Sequence, residues 1–117
     1  MGIFDFFKNK RSLYPEKLWK VKIQNDQVFS TDPKGETQFI LINAIESILI
    51  QTNDSGPFGI DFWWYVHDGS KTIQITQGAT GEDEMIIELQ RLAGFNNDEF
   101  ILAIASTENN EFICYKN

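Results

Sequence analysis

From Trp19 onward apolar and polar residues alternate with a period of two: Trp19, Val21 and Ile23 fall on one side, Lys20 and Lys22 on the other. That spacing predicts a β-strand with one face toward a core. Asn25-Asp26 then marks a hairpin turn into Val28-Phe29-Ser30, and Asp32-Pro33-Lys34-Gly35 sets Asp, Pro and Gly where a type I turn takes them. Phe39 to Ile42 and Ile45 to Ile50 are almost continuously apolar and rich in β-branched residues, which predicts strands covered on both faces. Further along, Ile60, Phe62, Trp64 and Val66 alternate with Asp61, Trp63, Tyr65 and His67. A strand there has one wholly apolar face and a second that still carries two large rings. Asp68-Gly69 joins it in a hairpin to Thr72-Ile73-Gln74-Ile75-Thr76.

The period then changes. Met85, Ile86, Leu89, Leu92 and Ala93 recur at helical spacing, with Thr80 placed to cap, Asp83 to complete a capping box, and Glu82, Asp83 and Glu84 at the positive end. Gly94 suits a left-handed C-cap followed by its hydrophobic partner Phe95. Asn96-Asn97-Asp98-Glu99 offers a second cap, and Phe100, Ile101, Ile104 and Ala105 form the stripe of a short second helix. A last strand covers Phe112 to Lys116. With six strands, two helices and a closing strand, and no repeat or linker between them, residues 13–117 read as one α+β domain. Residues 1–12 form a short amphipathic segment, with Ile3, Phe4, Phe6 and Phe7 on one broad side of a short helix. About seven mostly antiparallel strands suit a bent meander or a two-sheet roll of the pleckstrin-homology type. A chain of that type usually ends in its helix, whereas here Phe112-Ile113-Cys114-Tyr115 follows.

Composition narrows the function classes. A chain of 117 residues can bury a core without a disulfide or metal, and its one cysteine, Cys114, has no partner within the chain. No apolar run approaches the roughly 20 residues of a membrane span, and the start lacks the features of a secretion signal or a myristoylation site. A reducing, cytoplasmic setting is the expectation. The net charge of −7 is uneven: Lys8, Lys10, Arg11, Lys17, Lys20 and Lys22 against Asp5 and Glu16 give residues 1–22 a balance of +4, leaving −11 on the rest. Beyond residue 22 only Lys34, Lys71, Arg91 and Lys116 are basic. Phosphate contacts dominate nucleic-acid affinity, so such a body argues against that partner and suits a cationic protein better.

Most chemistry is unsupported. With one His and one Cys the chain has no zinc pattern, and the spacing of Asp54, Asp61 and Asp68 matches no calcium loop. No residue set implies a cofactor. Gln77-Gly78-Ala79-Thr80-Gly81-Glu82 lacks the Lys and Ser/Thr of a phosphate cradle and reads as a flexible strand-to-helix turn. Glu82, Asp83, Glu84 and Glu88 are explained by helix capping and a solvated face, and Cys114 with His67 by a buried thiol and a strand-end imidazole.

The motifs Thr52-Asn53-Asp54-Ser55-Gly56-Pro57-Phe58, Asp61-Phe62-Trp63-Trp64, Gln77-Gly78-Ala79-Thr80-Gly81-Glu82, Leu89-Gln90-Arg91-Leu92-Ala93-Gly94-Phe95 and Phe112-Ile113-Cys114-Tyr115 resemble a family of small uncharacterised bacterial proteins. The resemblance spans about residues 19–115, implies a bacterial cytosolic setting and carries over no activity or catalytic residue. The expected function is a non-catalytic module that binds a protein through the aromatic strand and its preceding turn, with Asn53, Asp54, Phe58, Asp61, Trp63 and Tyr65 as contact residues. An immunity-type antitoxin for a basic toxin is its specific form. Competing readings are a small enzyme with a shallow site near Asp54, Asp61 and His67, and a module that meets a membrane surface or a second copy through Ile3, Phe4 and Phe7.

Overall fold

A computed structural model describes residues 18–54 and 62–117. The expected amino-terminal helix, the turn through Phe58, and Ile60 and Asp61 lie outside those residues. Within them, strands β1 (Lys20–Gln24), β2 (Gln27–Thr31), β3 (Thr37–Leu41), β4 (Ser47–Thr52), β5 (Phe62–His67) and β6 (Thr72–Thr76) precede helices α1 (Glu82–Gln90) and α2 (Asn97–Ala105), and β7 (Asn110–Lys116) follows. The strands form two antiparallel sheets, one ordered β1-β2-β3 and one ordered β6-β5-β4-β7. The expected α+β order is what forms, with both helices between the sixth and seventh strands.

Turn chemistry sets the first sheet. Asn25 and Asp26 both take positive φ, 53° and 60°, the backbone of a two-residue type I′ hairpin that matches strand twist. At the next turn Asp32 Oδ1 accepts from the Lys34 and Glu36 N–H groups, and Gly35 supplies φ +92°. The sheet then buries Val21, Val28 and Ile40 on one face. Its other face is open, so β3 departs from the expectation of double cover: Phe39 and Leu41 are exposed, with Phe39 stacked on Phe29 at 5.6 Å and under the Lys71 ammonium at 4.2 Å. Alternation sets both on the face opposite the buried Ile40, whose side is the one turned to the core.

Between β6 and α1, Thr80 does not cap the helix. It forms a parallel bridge with Lys20, and its carbonyl accepts from the Val21 N–H at 2.8 Å. Gly81 occupies the cap position at φ +93°, where a Cβ would strike the Val21 carbonyl oxygen. The segment is therefore a close contact between backbones that only glycine fits, and flexibility is not its role. Helix α1 stops at Gln90, so Leu92 and Ala93 lie past its end, while Gly94 at φ +94° closes the following turn and delivers Phe95 to the core. Asn96 does cap α2, its Oδ1 accepting from the Glu99 N–H at 3.0 Å.

The core centres on Trp64, fully buried, with Phe62 and Phe100 rings at 6.1 and 5.3 Å and Ile48, Ile50, Ile73, Ile75, Met85 and Leu89 around it. Truncating such a residue costs about 3–5 kcal/mol. Helix α1 packs against β1 and α2 against β4 and β7. Across the sheets, the Ser30 hydroxyl donates to the Gln74 carbonyl at 2.8 Å, fastening β2 to the β6 edge.

Candidate functional site

Strand β5 alternates as its sequence predicts: Phe62, Trp64 and Val66 are buried, while Trp63, Tyr65 and His67 are half-buried on the opposite face. Strand register extends that face sideways. Tyr65 stands between Gln74 on β6 and Leu49 on β4, and Leu49 in turn stands beside Ile113 on β7. Ile113 is 55% exposed. In the neighbouring row Trp63 lies between Thr76 and Gln51, with Glu111 next to Gln51. The result is a sheet face with an apolar, partly aromatic row flanked by amides and an acid.

Trp63 and Tyr65 differ in their surroundings. The Trp63 ring meets Trp19 edge-on, centroids 5.3 Å apart and planes at 83°. Trp19 comes from the residue just before β1, so the first sheet reaches over this end of the second. It also walls a recess of about 280 Å³ with Ser30, Asp32, Glu36, Gln38 and Gln74. Two carboxylates and an indole make that recess acidic with one aromatic side. Sequence periodicity placed Trp19 on the inner side of β1 and carried no signal that it would reach Trp63.

Asn53 and Asp54 lie at the end of β4, away from Tyr65. Asn53 helps line a second recess of about 310 Å³ with Gln51, Thr52, Asn109, Asn110 and Glu111, and the Asp54 N–H donates to Asn109 Oδ1 at 3.2 Å. Thr52 is buried there, its hydroxyl donating to the Glu108 carbonyl at 2.7 Å. His67 pairs with Ser47 at the far end of β4, five residues from Thr52 and so about 17 Å along the strand. Its Nδ1 contacts the Thr72 hydroxyl at 2.8 Å. The structure thus brings Trp63 and Tyr65 together on one face, sets Asn53 and Asp54 at one end of it, and holds His67 at the other. Phe58 and Asp61 lie outside the described residues.

The titratable groups inside the fold are structural in geometry. Glu82, expected on a solvated face, is buried: Trp64 Nε1 donates to its Oε2 and the Gly78 N–H to its Oε1, both at 2.9 Å. Burial raises its carboxyl above the ordinary value, against those two bonds that favour the anion, and the Asp83 charge adds to the rise. A sequence signal for this existed, because Glu82 shares a helical face with Met85 and Leu89, three and seven residues on, both buried. Cys114 is buried in β7, and burial, helped by the Glu99 charge, pushes its thiol up to about 12. A thiol so held is no nucleophile near neutrality. Among the described residues no group of three or more His, Cys, Asp or Glu comes together to hold a metal, and no helix is long and apolar enough to cross a membrane.

Comparison with protein-family models, with curated proteins and with solved structures found no match.

Proposed function

We propose that this protein is a non-catalytic protein-binding module whose partner lies on the outer face of the β6-β5-β4-β7 sheet. The observation that carries the reading is the cross-strand row of Tyr65, Leu49 and Ile113, apolar and aromatic yet only half covered, with Ile113 the most exposed of the three. Tyrosine in such a setting offers a large rigid surface with a polar tip, the profile of an interface anchor. Trp63, held by Trp19, serves as the wall of the surface more than its tip. Asn53 and Asp54 form the rim at the open end of β4.

The charge of the body favours a basic partner, with −11 over residues 23–117, and the Trp19 recess with Asp32 and Glu36 lies beside Gln74 at the end of the same row. Complementary charge of this kind steers encounter and makes the association rate fall with salt. An immunity-type role toward a basic toxin in the bacterial cytosol is the specific form of the proposal. The separation of His67 from Asp54 favours binding over an acid-base site.

The test uses the intact chain with Tyr65→Ser and Ile113→Ser together. Both side chains are on the open face, so the variant is expected to melt within a few degrees of the parent. Crosslinking in the native host followed by mass spectrometry is expected to recover a basic protein with the parent and to lose it at least tenfold with the variant. Equal recovery from both overturns the proposal.

A further inference from the structure

The core-facing side of the first sheet changes character along its length. Register sets Ile23, Val28 and Ile40 in one cross-strand row and Val21, Ser30 and Gln38 in the next. One step past the paired residues, on the same side by alternation, stand Trp19, Asp32 and Glu36. The Asp32 N–H donates to the Glu36 carbonyl at 2.9 Å and continues the pairing there. The rows thus run from apolar, through half polar, to an indole with two carboxylates.

The last two rows, with Gln74 from the second sheet, enclose the recess of about 280 Å³. Two contacts fix its walls: the Ser30 hydroxyl on the Gln74 carbonyl at 2.8 Å, and the Trp19 ring against Trp63 at 5.3 Å. Gln74 is also the register partner of Tyr65, so the recess adjoins the row assigned to a partner.

Its lining is rich in acceptors: the Asp32 and Glu36 carboxylates, the Gln38 and Gln74 amide oxygens and one indole face, with no basic residue. Asp32 Oδ1 is engaged by the Lys34 and Glu36 N–H groups. Lys34 lies in the same turn, yet among the described residues the one ion pair is that of Arg91 with Glu88, so neither carboxylate of the recess is neutralised. An anion is repelled by this lining. A group that fits it is positive, flat enough to lie on an indole, and carries several donors in a plane. Guanidinium has all three properties, whereas an ammonium is a compact, strongly hydrated point charge.

We propose that the recess receives the guanidinium of one arginine side chain of the protein partner, its plane on the Trp19 indole and its N–H groups on Asp32, Glu36 and the two glutamine amides. The inference rests on the sheet-face reading and deepens it, since it names the group recognised at one end of that face.

The test is made on the intact chain with N-acetyl-arginine amide as probe, followed through the Trp19 indole N–H and the Gln38 and Gln74 side-chain amides by NMR. These signals are expected to shift saturably at millimolar probe. The uncharged citrulline analogue and the lysine analogue are each expected to bind at least about fivefold more weakly. Glu36→Gln, and Asp32→Asn with Glu36→Gln, are expected to weaken the arginine probe by at least about fivefold while the rest of the spectrum keeps its folded dispersion. No saturable shift, shifts centred elsewhere, equal binding of citrulline or lysine, or unchanged binding in Glu36→Gln overturns the proposal. Such a failure leaves the sheet face standing if Tyr65→Ser with Ile113→Ser still loses the partner. If that variant keeps the partner, the sheet-face reading fails on its own, whatever the probe does.

Discussion

At the residue scale, Glu82 carries the most tension. Its carboxyl lies above the ordinary 4.5 because burial outweighs the Trp64 and Gly78 bonds. A raised acid binds its proton more tightly in the folded chain, so its contribution to stability is greatest below that value and is lost as pH rises through the folded-state value. Urea midpoints from pH 4 to 7 are expected to fall more steeply for the parent than for Glu82→Gln. Glu82→Gln removes that titration, so its own midpoint is expected to change little over the same range. Gly81→Ala is expected to cost more than about 2 kcal/mol by thermal or urea unfolding, from a left-handed backbone and a collision with Val21 together. Cys114 is expected to ignore thiol reagents at pH 8 in the folded protein and to react fully in denaturant, because burial pushes its thiol up to about 12. Glu82 was misread from sequence because an acid in a first turn already has an explanation in the helix dipole. Its shared face with Met85 and Leu89 was the stronger signal.

At the element scale, strand existence and order were legible because period two and turn residues act locally. Asn25-Asp26 and Asp32 to Gly35 set their hairpins through local backbone geometry and turn hydrogen bonds. What local pattern cannot show is which side of a short apolar element meets the core. The stripe of Phe100, Ile101, Ile104 and Ala105 was a sound helical pattern, yet β4 and β7 receive the side marked by Phe100 and Ala103. The same limit hid the covering of Trp63, which depends on Trp19, 44 positions away. A double-mutant cycle of Trp19→Ala and Trp63→Ala is expected to show a coupling of about 0.5–1.5 kcal/mol, the worth of an edge-to-face pair beyond its buried area. Independent effects would mean that the rings do not meet in solution. Tyr65→Ser alone is expected to change stability far less than Trp63→Ser, because only Trp63 packs on the Trp19 ring.

At the scale of the whole molecule, two sheets and two helices share one core through Trp64 and through the Ser30 to Gln74 bond. Ser30→Ala is expected to lower stability by about 1 kcal/mol while leaving a single urea transition with an unchanged slope. A second transition would show that the sheets unfold apart. Among the described residues, apolar side chains reach the surface in several regions: the Tyr65 row with Ile113, the outward side of α2, and the Phe39 and Leu41 face of the first sheet.

One irregularity decides where the first of those regions lies. Between Ile48 and Leu49 the β4–β7 ladder slips: Tyr115 pairs with Ile48, Ile113 with Leu49, and Cys114 stands between them unpaired with β4. Its carbonyl instead accepts from the Asn96 N–H, at the cap of α2. The one extra residue works as a frameshift in the strand. Without the slip, Cys114 would sit beside Leu49 and Ile113 would turn inward, emptying the row of its most exposed member. The proposed binding face is in that sense written in the count of residues along β7, and the same count ties β7 to the cap of α2.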